Sequence, residues 1–203
     1  MRYAIDLVDR RLCYSGFLTL SRYRLRHSLY DGGWSEVVQR ERLELLDAAA
    51  VLLYDPVRDQ AVMVEQFRIG ALELGAGAWL IEPPGGVIEP GIDPAAAALR
   101  EAREETGCAP WAIEPIASVH VNPGVTAQRL HLFCASVDAS QAGGVHGVRA
   151  EGEDIRVLVL DAVHAIASAG AGRLDTMAAI ITLQWLALNR RRLREGGGRA
   201  PAV

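Results

Sequence analysis

The chain has 203 residues, of which half are hydrophobic and 23% are charged, and this balance is typical of a globular domain with a sizeable core. Its formal net charge of −4 argues against a nucleic-acid partner or an anionic membrane surface, and no apolar run is long enough to span a membrane. The three cysteines are scattered without a CxxC pair, and charges interrupt the apolar part of the N-terminus, so we expect a cytoplasmic protein with free thiols and no signal peptide.

The first predicted elements are strands in the N-terminal region. Apolar and polar residues alternate over residues 12–46, in "FLTLSRYRLRHSL" and "WSEVVQRERLEL", with the glycine turn "YDGGW" between them. This two-residue period predicts an antiparallel hairpin or a short meander. The segment is too short to hold a core of its own, so we expect it to pack on something else.

A second hairpin is predicted immediately afterwards. Its strands are "DAAAVLLYD" and "QAVMVEQFRIG", and they are joined by "PVRD" with Pro56 at the turn. The glycine-rich "ALELGAGAW" is predicted to be a loop, and "WLIEPPGG" to be a short strand that runs into a break.

A helix follows, because Asp93 suits its N-cap, Pro94 its first position and Gly107 its end. The strands expected next are "IEPIASVHV", "RLHLFCASVD" and "IRVLVLD". A short helix is predicted at residues 162–168 and a longer one in "DTMAAIITLQWLALNRRRLREG". This order predicts a mixed α/β (α+β) fold, and the final residues, 196–203, are expected to be a disordered tail.

The end of the central helix concentrates acidic residues. Glu101 and Glu105 are four residues apart and share a face, Glu104 lies beside them, and Arg100 reaches toward Glu104. Two aligned carboxylates next to a glycine loop form an all-oxygen set of the kind that Mg²⁺ or Mn²⁺ prefers. An acidic run alone is also typical of a solvated helix end. The Gly-Gly entry and the Asp-Pro start favour the metal site.

The segment resembles the Nudix box, G-x5-E-x7-R-E-U-x-E-E-x-G-U, in which U is a bulky apolar residue. The matching residues are Gly86, Arg100, Glu101, Ala102, Glu104, Glu105, Gly107 and Cys108. One position departs from the pattern, because Ile92 stands where the family has a glutamate that braces the arginine. Arg100 is therefore expected to find another partner, and metal binding is expected to survive.

Segments outside the box are similar to the ADP-ribose pyrophosphatase branch of the family. Pro123 lies fifteen residues after Cys108, in "VNPGVT", and the likeness runs over residues 23–188. It implies a Nudix-type α/β/α sandwich with a mixed sheet and an N-terminal antiparallel β annex. It also implies three parts: residues 1–46 for dimerisation and substrate contact, 47–195 as the Nudix hydrolase domain, and 196–203 as the tail. In this branch the N-terminal strands cross to a second subunit, so we expect a homodimer.

The resemblance also assigns roles to individual residues. The expected metal ligands are the Gly85 carbonyl, Glu101, Glu105 and Glu153, and the expected general base is Glu151 in "AEGEDIRV". The expected substrate-binding residues are Arg68, Val87, Asn122, Pro123, Gly124, Gln128 and either Arg40 or Arg42. Trp34 is the one tryptophan kept as a weak candidate for base stacking.

These roles predict a metal-dependent hydrolysis. Carboxylates alone would repel a diphosphate, whereas bound Mg²⁺, or Mn²⁺, would reverse the local charge and lower the pKa of water. Glu151 would then accept the proton, and ADP-ribose and water would give AMP and ribose 5-phosphate.

Two other functions stay open at this point. Gln128 stands where the branch usually has glutamate, which favours another nucleoside diphosphate sugar such as a GDP-sugar. The Ile92 departure raises a second alternative, a weakly catalytic nucleotide-binding module. Substitution of Glu105 or Glu151 by Gln distinguishes an enzyme from such a module.

Overall fold

The computed structural model describes residues 3–73, 75 and 77–196, except for the side chain of Glu151. Apart from Gly196, the tail predicted at residues 196–203 lies outside the described residues. The chain divides into two compact units. The N-terminal unit runs to Asp47 and includes Val119–Arg129, and the central unit comprises Ala48–Ser118 and the chain from Leu130 onward. Whether the boundary predicted after residue 46 separates two domains stays a prediction.

The N-terminal unit contains a three-stranded antiparallel sheet in the order β1-β2-β3. Its strands are β1 (Ile5–Ser15), β2 (Thr19–His27) and β3 (Val38–Leu43). The predicted meander is confirmed, and the turn between β2 and β3 has positive φ angles of 97° at Gly32 and 78° at Gly33. The prediction began at residue 12 and therefore missed most of β1. The register of β1 shifts twice, and these irregularities disrupt the alternation that marks a strand in sequence.

The central unit is built on an eight-stranded sheet. Its strands are β4 (Ala48–Asp55), β5 (Gln60–Phe67), β6 (Trp79–Glu82), β7 (Gly85–Val87), β8 (Trp111–His120), β9 (Arg129–Ser136), β10 (Val145–His146) and β11 (Ile155–Asp161). The main path is β10-β11-β5-β4-β9-β8, with β6 paired to β5 and β7 to β4. Strand β4 pairs with β9 in parallel and with β5 and β7 antiparallel, so the sheet is mixed, as predicted.

In the described part of the chain, three α-helices cover this sheet: α1 (Pro94–Thr106), α2 (Ala162–Ala167) and α3 (Met177–Glu195). One face of the sheet packs Val62 and its neighbours against Ala98 and Ala102 of α1. The opposite face packs Met63 and its neighbours against α2 and α3, including Leu183. The result is the expected α/β/α arrangement. Among the described helices, none is both long and apolar enough to cross a bilayer.

Local signals fixed α1 as predicted. Asp93 accepts hydrogen bonds from the backbone nitrogens of Ala95 and Ala96, each at 3.0 Å, and Gly107 ends the helix with φ of 68°. The hairpin of β4 and β5 is also confirmed.

The segment "WLIEPPGG" forms two strands rather than one. Strand β6 ends at Glu82, and after the two prolines Gly85 and Gly86 pair with β4 as part of β7. Proline lacks a backbone donor and glycine has no side-chain pattern, so nothing local marks the second strand.

Candidate active site

Two adjacent glycines allow close packing at the start of the Nudix-like segment. A Cβ atom on Gly85 would lie 2.3 Å from the carbonyl oxygen of Ala49 in β4. A Cβ atom on Gly86 would lie 2.5 Å from Oε1 of Glu101. The Gly-Gly pair therefore lets β7 approach β4 and lets the Glu101 carboxylate lie directly against the backbone.

Glu105 is a buried acid of the central unit. Its residue is only 3% exposed, and its Oε2 accepts a hydrogen bond of 2.9 Å from the backbone nitrogen of Gly85. Burial raises the pKa of Glu105 to about 8, and the carboxylates of Glu101 and Glu153 add to this rise. The Gly85 hydrogen bond and the positive charge of Arg68 oppose the rise without cancelling it.

Glu101 lies in the same electrostatic environment. Burial raises its pKa, and the charges of Glu104 and Glu153 act in the same direction, whereas Arg100 opposes them. Arg100 donates through Nη2 to Oε1 of Glu101 at 2.7 Å and through Nη1 to Oε2 of Glu104 at 2.8 Å. The predicted approach of Arg100 to Glu104 is thus confirmed.

The same contacts supply the partner that Arg100 needed. Burial alone would lower the pKa of Arg100. The charges of Glu101, Glu104 and Glu89 outweigh burial, so the pKa is raised. Ile92 itself is partly exposed, and its backbone nitrogen donates to the carbonyl of Glu89 at 3.1 Å. The arginine is therefore held by two acids on its own helix, and the charge of Glu89 from the preceding loop adds to their effect.

Glu153 is the third acid of this group. Its Oε2 accepts a hydrogen bond of 2.8 Å from the backbone nitrogen of Val148. Gly147 has φ of 101°, and a Cβ atom there would lie 2.8 Å from Cβ of Glu153, so glycine is needed for this loop conformation. The backbone of Glu151 closes a short 3₁₀ turn, and its proposed role as general base stays a prediction.

The donor set fits a hard divalent cation. Among the described residues, no three His, Cys, Asp or Glu side chains are already arranged as a metal site. However, Glu105 and Glu101 each have a pKa raised by Glu153, so the three carboxylates repel one another. A divalent cation would relieve this repulsion, and carboxylate oxygens are the ligands that it prefers. The Gly85 carbonyl as a further ligand stays a prediction.

Arg68 and Val87 also belong to the central unit. Arg68 is half-exposed, donates through Nε to Oε2 of Glu82 at 2.6 Å, and acts electrostatically on Glu105. Val87 ends β7 with its side chain about half exposed. Gly85, Val87, Arg68 and the three carboxylates are thus gathered in one unit.

The remaining predicted residues lie in the N-terminal unit, which contains a cavity of about 370 Å³. Tyr23, Arg40 and Arg42 from β2 and β3 line it, together with Pro123 and Gly124. The segment that carries Pro123 is joined to β3 because the backbone nitrogen of Leu43 donates to the carbonyl of Val125 at 2.8 Å. The carbonyl of Asn122 accepts two further backbone hydrogen bonds, which close the turn of this segment. Arg40, Pro123 and Gly124 are therefore brought together, with Asn122 at the base of the turn.

The contacts of Arg40 and Arg42 indicate which of the two could serve as the substrate-binding arginine. Arg42 donates to Oε2 of Glu44 through Nε at 3.0 Å and Nη2 at 2.6 Å, and its guanidinium lies 4.7 Å from the centre of the Tyr23 ring. Arg40 donates only to the neighbouring carbonyl of Gln39, at 2.8 Å, and forms no ion pair within the described chain. This difference favours Arg40 as the residue available to a ligand.

Sequence reasoning missed the cluster around Glu44. Its carboxylate also accepts from the hydroxyl of Tyr23 at 2.7 Å and from Nη2 of Arg10 at 3.0 Å. Burial would raise the pKa of Glu44, but hydrogen bonds from Arg42, Tyr23 and Ser21 outweigh it and lower the pKa to about 2. Residues from three strands meet here, and no local signal in the sequence indicates that.

Gln128 and Trp34 have partners of their own. Nε2 of Gln128 donates to the carbonyl of Leu46 at 2.7 Å, a bond that a glutamate could not form at neutral pH. The guanidinium of Arg26 lies 5.3 Å from the centre of the Trp34 ring. A role in substrate binding stays a prediction for both residues.

Comparisons with known proteins identify the family of the chain. A family model of the NUDIX domain matches residues 44–179. The chain is 40% identical over 190 residues to the ADP-ribose pyrophosphatase of Escherichia coli (strain K12), covering 94% of this chain and 91% of that protein. It is 40% identical over 199 residues to the ADP-ribose pyrophosphatase of Haemophilus influenzae, covering 97% and 92%.

A second group of relatives carries another name. The chain is 32% identical over 189 residues to the GDP-mannose pyrophosphatase of Pectobacterium atrosepticum, covering 91% of this chain and 94% of that protein. The family model covers more than half of the chain, and the acidic helix end and the glycine pair lie within the matched residues. The chain therefore belongs to the Nudix family.

Proposed function

We propose that the protein is a Nudix hydrolase that cleaves the diphosphate of ADP-ribose with water, giving AMP and ribose 5-phosphate. The observation that carries this proposal is the acidic pair of the buried Glu105 and the partly buried Glu101, which lie against the backbone of Gly85 and Gly86. The relatives named ADP-ribose pyrophosphatase support the choice of substrate, since they are 40% identical along nearly the whole chain.

The chain's own residues prepare the site for a divalent cation. Glu101, Glu105, Glu153 and the carbonyl of Gly85 would hold it, and Mg²⁺ is the cation that we propose, with Mn²⁺ as a substitute. When bound, the cation supplies positive charge for the diphosphate and makes water more acidic. The backbone nitrogen of Gly85 fixes the orientation of Glu105.

Other residues act on the substrate and on the proton. Arg100 holds Glu101 in place through its 2.7 Å hydrogen bond. Arg68 provides a half-exposed cation for a phosphoryl oxygen, and its bond to Glu82 sets the direction of its guanidinium. We assign to Glu151 the role of general base that takes a proton from the attacking water.

The N-terminal unit provides the remaining substrate contacts in this proposal. Its cavity presents Arg40, Pro123 and Gly124, and Asn122 and Gln128 hold the segment that forms one wall. Arg40 is the charged residue there without an ion pair in the described chain. Val87, at the end of β7, completes the proposed set in the central unit.

We also propose a homodimer formed through the N-terminal strands. Strand β1 and the turn after it expose large apolar side chains, including Ile5, Leu12 and Phe17. Such apolar surface is typical of an interface. Size-exclusion chromatography with light scattering should give twice the mass of the 21.9 kDa chain, and a monomer at micromolar concentration would overturn this proposal.

The decisive experiment compares substrates. Purified protein is incubated with ADP-ribose, ADP-glucose or GDP-mannose, each with Mg²⁺ or Mn²⁺, and the products are separated by chromatography. ADP-ribose should be cleaved with the highest kcat/KM, and AMP should appear in step with ribose 5-phosphate. No cleavage of any of the three would overturn the enzymatic proposal.

GDP-mannose is the second candidate substrate, favoured by the relative that is 32% identical and named for it. A higher kcat/KM for GDP-mannose than for ADP-ribose would transfer the proposal to that sugar nucleotide.

A further inference from the structure

One buried amide of the central unit has no partner. Gln66, on β5, is 7% exposed, and its Nε2 is buried without a hydrogen bond. Among the side chains that the structure describes, no other buried nitrogen or oxygen is in this state. Buried polar groups are nearly always paired, so an amide of this kind needs an explanation.

The direction of the Gln66 side chain follows from its strand. Val62 belongs to the core cluster that includes Ala102 of α1, whereas Met63 belongs to the cluster under α2 and α3. Successive residues of a strand point to opposite faces. Gln66, four residues beyond Val62, therefore faces the same side as α1.

The strand leads from Gln66 directly to Arg68. The backbone at Arg68 is still extended, with φ of −129° and ψ of 111°, and its nitrogen donates to the carbonyl of Ala78 at 2.7 Å. Arg68 therefore shares the face of Gln66. The charge of Arg68 acts on Glu105, so the end of this face of β5 lies within electrostatic range of that carboxyl group.

An uncharged donor suits this position. A lysine or arginine in place of Gln66 would add a second positive charge on the face that carries Arg68, and a glutamate would add a negative charge there. An amide carries two N–H donors and no charge. It can therefore bind a phosphoryl oxygen while leaving the carboxylates to the metal.

We propose that Gln66 is a substrate-binding residue whose Nε2 donates a hydrogen bond to a non-bridging oxygen of the diphosphate. This inference rests on the proposed function, because its ligand is the diphosphate of a nucleoside diphosphate sugar. In this proposal Arg68 provides a positive charge for the diphosphate, and the hydrogen bond from Gln66 fixes the orientation of the diphosphate.

The test replaces Gln66 by methionine, which has nearly the same length and shape but no donor. Gln60→Met is the matched control, since Gln60 begins the same strand and has the same facing. The dissociation constant for ADP-ribose is measured by calorimetry in EDTA, and KM and kcat are measured with Mg²⁺. For Gln66→Met, the dissociation constant and KM should rise about tenfold, as for a lost hydrogen bond to a charged group. For Gln60→Met, both should stay within about twofold.

The melting temperature separates this inference from a packing defect. If Gln66→Met melts at a higher temperature but keeps the wild-type dissociation constant and KM, the amide has no role in binding and the inference is wrong. If the wild type binds and cleaves GDP-mannose instead, the choice of ADP-ribose fails, and the same two variants are measured with GDP-mannose. A wild type that binds neither compound overturns both proposals.

Discussion

Two glutamates, the partly buried Glu44 and the buried Glu105, have opposite electrostatic surroundings. Glu44 of the N-terminal unit accepts hydrogen bonds from Arg42, Arg10 and Tyr23. Burial would raise its pKa, but hydrogen bonds from Arg42, Tyr23 and Ser21 lower it to about 2. Glu105 of the central unit accepts one backbone hydrogen bond, and burial beside other carboxylates raises its pKa to about 8.

Glu44 is therefore a structural acid, whereas Glu105 is the acid to which we assign a function. The chain balances the charge of Glu44 with its own arginines, so this carboxylate is already satisfied in the folded protein. It leaves Glu105 beside other acids, so the charged form of this carboxyl group is disfavoured until a ligand supplies positive charge.

Glu105→Gln should lower kcat/KM by about 10³-fold, because a proposed cation ligand is lost. The melting temperature should not fall, since the variant removes a buried carboxylate with an unfavourable environment and keeps an oxygen for Gly85. Steady-state kinetics and calorimetry measure both quantities. Glu114→Gln is the control, because Glu114 pairs with Arg192 of α3 and should keep kcat/KM within about twofold. Wild-type activity in Glu105→Gln would show that Glu105 has no role in catalysis.

Glu151→Gln should lower kcat by about 10²-fold while the dissociation constant for ADP-ribose in EDTA stays unchanged, because a general base acts in the transition state. Single-turnover kinetics and calorimetry test this directly. An unchanged kcat would mean that another group takes the proton.

Glu44→Gln should reduce the free energy of unfolding by about 1–2 kcal/mol, because Arg42 and Arg10 lose their charged acceptor. Urea unfolding measures this loss, and kcat should remain that of the wild type. A large fall in kcat without a fall in stability would show that Glu44 is not the structural acid of the pair.

The stabilisation by Glu44 should depend on pH in a defined direction. Its pKa is lowered from 4.5 to about 2, so its contribution is complete above pH 4.5 and is lost as the pH falls toward 2. The difference in unfolding free energy between the wild type and Glu44→Gln should therefore shrink across this range. Glu195→Gln, which alters an exposed pair on α3, should show no such trend. A difference that is constant with pH would contradict the assignment.

Signals within a few residues were enough to predict helices and strands from the sequence. The contacts between residues that are distant in the sequence could not be predicted in this way. Asp93, Pro94 and Gly107 defined α1, because caps and helix-compatible residues act within a few positions. The hydrogen bond from Gly85 to Glu105 joins residues twenty positions apart, and the sequence around either residue does not predict it.

The same limit applies to the individual departures from the family pattern. The contribution of Glu89 to Arg100 depends on how the loop before α1 folds back, and the bond from Gln128 to Leu46 spans 82 positions. The unpartnered Gln66 looks like any strand residue in the sequence, and only its burial distinguishes it.

The parallel pairing of β4 with β9 also bears on how the chain folds during synthesis. Seven residues of β4, Ala48 to Tyr54, pair with a strand that begins at Arg129. Until the ribosome has made β9, one long edge of an almost wholly apolar strand has no neighbour, and such edges favour aggregation. A nascent chain stalled before Arg129 should therefore need chaperone protection, which the completed chain no longer needs.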